Sequence, residues 1–95
     1  MPYRVDVSSQ AAMDLNNLFR YISDALCAPE NAYAQLARLR KQIGNLSKLP
    51  MRFRAYPKEF EGYGIIHVMP VDHFEVFYAV DAQQERVTII RVTGY

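Results

Sequence analysis

The sequence has a single cysteine, Cys27, so it can build neither an intramolecular disulfide nor a cysteine-based metal cluster. Its place near the end of a predicted helix reads as a small buried or half-buried thiol. Histidine is nearly as scarce: His67 and His73 are the only two, too few for a histidine-rich metal site. No glycine-rich phosphate loop and no nucleophile elbow occurs, so neither a cofactor nor a metal is expected. No apolar run approaches the ~20 residues needed to span a bilayer. The N-terminal residues Met1–Asp6 lack the basic-then-apolar layout of a signal peptide, and the expected location is cytoplasmic, away from membranes. With 51% hydrophobic and 22% charged residues, the 95-residue chain reads as one soluble domain spanning 1–95.

Acid is missing from one stretch. The net charge is only +1, but seven of the eleven lysines and arginines (Arg38, Arg40, Lys41, Lys48, Arg52, Arg54 and Lys58) fall between Glu30 and Glu59, where no acid occurs. Such a one-signed block is the electrostatic footprint for a polyanion or an acidic partner protein. A solvated helix face followed by a basic loop would have the same composition.

The apolar residues that are present are periodic. Tyr3 to Ser8 alternates as a strand does, and Ser8 or Ser9 can cap a helix after it. Leu15, Leu18, Phe19, Ile22 and Leu26 recur at helical spacing, predicting a helix from Ser9 to Leu26 that Ala28-Pro29 ends. Pro29 and Glu30 suit the first turn of a second helix, whose stripe is Ala32, Leu36, Leu39, Ile43 and Leu46 and which Leu49-Pro50 closes. The two make a helical hairpin with a two- or three-residue joint. Three β-branched and aromatic runs come next, near Ile65–Met69, His73–Val80 and Arg86–Thr93, joined by short polar links as an antiparallel meander. Residues 51–63 could add a short strand. The expected fold is α+β, ordered β-α-α-β-β-β, with the hairpin packed on a small antiparallel sheet.

Metal-independent RNA cleavage needs only a base for the 2′-hydroxyl, cations for the phosphorane charge and a group to protonate the leaving oxygen. The residues able to serve are His67, Arg52, Arg54, Lys58, Arg91 and Tyr95. His67 would share a strand face with Ile65 and Met69, where a lone histidine is commonly structural. Arg52 and Arg54 would project the same way in an extended loop, toward phosphates or simply toward water.

The motif order Tyr3-Arg4-Val5-Asp6-Val7-Ser8, Ala12-x-Asp14-Leu15, Tyr21-Ile22, Ala28-Pro29-Glu30-Asn31-Ala32 and Ile43-x-x-Leu46-x-x-x-Pro50 resembles the RelE/ParE toxin superfamily of type II toxin–antitoxin systems. So do Val68-Met69-Pro70-Val71-Asp72-His73-Phe74-Glu75-Val76-Phe77-Tyr78 and Val87-Thr88-Ile89-Ile90-Arg91-Val92. The resemblance spans nearly the whole chain and implies neutralisation by a cognate antitoxin in a hetero-oligomer. It offers two targets. RelE-like members enter the ribosome and cut mRNA; ParE-like members poison DNA gyrase by binding; a relative that only binds antitoxin is a third outcome. The leading expectation is the mRNA interferase. Arg52, Arg54 and Lys58 would hold backbone phosphates, His67 and Arg91 would flank the scissile phosphate, and Tyr95 would close the site. His67 stands where similar members carry arginine.

Overall fold

The computed structural model describes residues 2–57 and 62–94. Strand β1 (Arg4–Val7) leads into helix α1 (Ser9–Arg20), then helix α2 (Pro29–Asn45), then strands β2 (Ile66–Val71), β3 (Phe74–Asp81) and β4 (Arg86–Thr93). This is the expected α+β order, with the helices packed on one face of a four-stranded sheet. The three late strands form the expected antiparallel meander. The sheet as a whole is mixed, ordered β1-β4-β3-β2, because β1 pairs parallel to β4. A three-stranded meander returns its last strand to the direction of its first. That leaves the outer edge of β4 open to β1, and the helical hairpin together with the meander forms the long connection a parallel pair requires.

Ser8 caps α1, its Oγ accepting from the Ala11 amide at 3.1 Å and donating to the Ile90 carbonyl at 3.1 Å, so one hydroxyl starts the helix and ties it to β4. The expected helix to Leu26 does not stay α-helical. Tyr21–Ala25 forms a π-helical turn in which the Leu26 amide reaches the Tyr21 carbonyl at 3.1 Å. Cys27 then takes a left-handed conformation (φ 51°), which turns the chain into Pro29 and leaves the thiol exposed rather than buried as its position suggested. In α2, Ala32, Gln35, Leu39 and Ile43 line the buried seam.

Alternation along the strands fills both faces of the sheet. Leu39, Ile43 and Leu46 from the α2 side meet Met69, Val76, Tyr78, Val87 and Ile89 on one face. On the other lie Ile66, Val68, Phe77, Ala79 and Ile90, with Tyr56 against them. Truncating a fully buried leucine such as Leu39 to alanine would cost about 2–5 kcal/mol. The β3–β4 register slips at one point, Phe77 facing Arg91 while Tyr78 faces Ile89, which leaves a bulge in β4.

Of residues 51–63, where a further strand was possible, 58–61 lie outside the described residues; before them the chain makes a 3-10 turn at Pro50–Arg52 and then a bridge from Ala55 to His67. Tyr56 donates to the Ile66 carbonyl at 2.6 Å and Val68 to the Arg54 carbonyl at 3.1 Å, so this segment lies along the outer edge of β2. Among the described residues, no helix is long and apolar enough to cross a membrane.

Candidate functional site

The acid-free block is built by the end of α2 and the turn after it. Arg38 donates from Nε to Asp72 at 2.8 Å and Gln35 from Nε2 to the same oxygen at 3.0 Å, clamping α2 to the β2–β3 turn. These two donors hold the Asp72 carboxyl below its ordinary value. Arg40 turns to the opposite side, toward a groove between the helices and β1. Lys41 and Lys48 are exposed and form no ion pair with any described residue. Arg52 does not extend beside Arg54, because it sits in the 3-10 turn. Its Nη1 curls back to donate to the Lys48 and Leu49 carbonyls at 2.6 and 3.3 Å, with its guanidinium 4.9 Å from the Phe53 ring centroid. Arg54 is extended and approaches Glu75 at 3.8 Å, a long and exposed pair that adds little.

His67 lies half-buried, its Nδ1 3.0 Å from the Phe53 carbonyl, an arrangement that requires the proton on Nδ1. Its ring stacks on Tyr78 with centroids 5.4 Å apart. Tyr78 donates to the Pro50 carbonyl at 2.5 Å from inside the core, and burial pushes its hydroxyl up to about 12. His67 therefore belongs to the support that holds the 50–53 turn against the sheet. Arg91 sits at the β4 bulge. Its Nε and Nη2 bind Asp14 of α1 at 2.8 and 3.3 Å, and the Val92 amide donates to the same carboxylate at 2.9 Å. Strand β3 separates His67 from Arg91, so their backbones are roughly 10 Å apart or more. Lys58 and Tyr95 lie outside the described residues. Of the six expected site residues four are described. Arg52, Arg54 and His67 lie at the outer edge of β2, where His67 meets the Phe53 carbonyl between the two arginines, and Arg91 lies apart on β4.

Two features escaped the sequence reading. The first is Asp14, whose side chain is only 9% exposed. Burial pushes its carboxyl up, but the Arg91 side chain, the Val92 amide and Gln10 together outweigh that and hold it below its ordinary value. No local signal marks the pair, since Asp14 and Arg91 are 77 residues apart. The second is a groove of about 660 Å³ between α1, α2 and β1, lined by Val5, Val7, Leu15, Phe19, Leu36 and Ile43 among others. Among the described residues, Arg40 is the only charged one in its wall. Strand β1 borders the groove and pairs with a strand on one side only, so a row of backbone groups faces outward beside an apolar trough. The half-exposed Val7 in a strand of four residues was the available hint.

Residues 5–94 match the family described as the ParE toxin of the type II toxin–antitoxin system parDE. No curated protein matches the chain by sequence. Among solved structures, the chain is similar to one from a chromosomal ParDE system of P. aeruginosa. That pair has TM-score 0.77 and 18% identity, over 97% of this chain and 95% of the other. A RelBE toxin–antitoxin complex from Mycobacterium tuberculosis gives TM-score 0.66 at 24% identity, covering 100% and 93%. The archaeal RelE–RelB complex from Pyrococcus horikoshii gives 0.67 at 20%, covering 99% and 96%. At these identities the structures share a fold with this chain.

Proposed function

The chain belongs to the ParE toxin family of type II toxin–antitoxin systems, and from that premise we propose that it arrests growth by binding DNA gyrase rather than by cutting mRNA. The observation that carries this reading is the employment of the groups nucleolysis would need. The His67 ring is bound to the Phe53 carbonyl, the Arg52 guanidinium to two backbone carbonyls, and the Arg91 guanidinium to Asp14. A cofactor-free nuclease needs its base, acid and cations converging within hydrogen-bond reach of one phosphate. Here these three side chains are each occupied in holding the fold together. Inhibition by binding asks only for a presented surface, which this chain has.

The groove and the open β1 edge suit a cognate antitoxin, forming a hetero-oligomer with the toxin. An amphipathic helix would lay its apolar face on Leu15, Phe19 and Leu36 with a carboxylate toward Arg40, and an extended segment would pair with β1. Toxin and target would then meet in the cytoplasm whenever antitoxin is scarce.

The test is inducible expression in a bacterium, with transcript ends mapped and gyrase-linked DNA breaks assayed from one culture. DNA breaks with intact transcripts are expected. Transcripts cut inside translated codons would overturn the reading in favour of the interferase and return His67, Arg91 and Tyr95 to catalytic roles.

A further inference from the structure

The turn after α2 displays two large apolar side chains to water: Leu49 is 79% exposed and Met51 is 55% exposed. A flexible loop could do this without meaning, but the backbone here is fixed. Leu49 is left-handed (φ 46°, ψ 56°), a conformation uncommon for any residue but glycine and held only where the surroundings over-determine it. Three ties do so. The Arg52 guanidinium grips the Lys48 and Leu49 carbonyls. The buried Tyr78 hydroxyl grips the Pro50 carbonyl, and Pro50 itself is buried. The Tyr3 amide grips the Ser47 carbonyl at 2.7 Å. The chain thus holds a strained turn rigid with its apolar side chains outward, over a shallow depression of about 370 Å³ that Tyr3 borders.

Resting on the gyrase-binding reading, we infer that this Leu49–Met51 knuckle is the surface that docks on the target, in an apolar depression rimmed by carboxylates. A pre-set backbone loses little freedom on binding, which is what makes an effective anchor. Charge selects the partner. Lys48 and Arg52 bracket the knuckle, neither meets a carboxylate among the described residues (the carbonyls that hold Arg52 in place are neutral and leave its charge uncompensated), and the sequence holds no acid from 31 to 58. A polyanion would have no use for the two apolar side chains between the cations; an acidic protein surface uses both. The knuckle shares no wall residue with the groove assigned to the antitoxin.

The test compares wild type with Leu49→Gly/Met51→Gln and with Met13→Gln, which alters an apolar side chain 58% exposed on α1. Glycine adopts the left-handed conformation freely, so the double variant should melt no lower than wild type. It is expected to lose growth arrest on induction and to capture purified DNA gyrase at least about tenfold more weakly, while Met13→Gln behaves as wild type. Unchanged arrest and capture in the double variant would overturn the inference and leave the gyrase reading standing. If wild type captures no gyrase, the gyrase reading fails, and growth arrest alone decides the knuckle: arrest retained sinks it, arrest lost assigns it to a different acidic target.

Discussion

Replacing Asp14 by alanine is the perturbation whose size the structure fixes best. The carboxylate is nearly buried and serves two parts of the β4 bulge at once. Its bond to the Val92 amide is the larger loss. Val92 is 5% exposed, and a buried donor left without a partner costs about 1–3 kcal/mol. The bond to Arg91 counts for less, about 0–1 kcal/mol, because that side chain is 44% exposed and water screens it. Together the loss should be about 1–4 kcal/mol, which for a domain of this size lowers the melting temperature by roughly 5–30 °C. Asp14→Asn keeps an oxygen for Val92 and should lose about half as much.

The pH dependence of that difference separates charge from packing. Because the folded-state value of Asp14 is depressed below its ordinary 3.8, its ionic contribution is fully present above 3.8. It is lost as pH falls below 3.8 through the lowered folded value. The stability gap between wild type and Asp14→Asn should therefore be constant from neutral pH down to about 5 and close below it. Thermal melts followed by circular dichroism across that range are the assay. Asp14→Ala melting within about 3 °C of wild type would refute the account of the latch. A gap that stays constant into strong acid would refute its ionic part.

Close contacts give two further outcomes. A Cβ on Gly94 would overlap the ring of Phe74, so Gly94→Ala should destabilise by about 1–3 kcal/mol, read in urea unfolding. Arg40→Glu reverses the only charge that the described residues place in the apolar groove. It should weaken capture by an acidic antitoxin segment about tenfold in a pull-down with the cognate protein, while growth arrest by the toxin alone persists.

What the sequence made legible is what repeats along it. The α2 stripe of Ala32, Leu39 and Ile43 and the β-branched runs of β2, β3 and β4 fall where periodicity puts them, because each burial pattern is local. The partner of β1 was not legible, since four alternating residues specify a face and say nothing of which edge they join. The π-helical turn at Tyr21–Ala25 was hidden for a similar reason: its residues suit an α-helix, and only the hairpin's geometry widens the turn. The basic block was visible as composition, but the fate of each cation was not. Arg52 points at backbone because Leu49 is left-handed, and Arg91 is taken by a carboxylate 77 residues earlier. Residue types capable of cleavage were therefore easy to find, whereas the partners that engage them were not.

The parallel pairing of β1 with β4 also bears on when the protein becomes dangerous. Ser8 and Ile90, 82 residues apart in sequence, share a hydrogen bond, and β4 lies between β1 and the rest of the meander. Neither β1 nor the face of α1 that rests on β4 has a seat until β4 arrives. Such non-local closure is slow relative to helix formation. During synthesis, the four-stranded sheet cannot be completed, nor α1 seated on it, before β4 has been made, so the toxin's fold closes late.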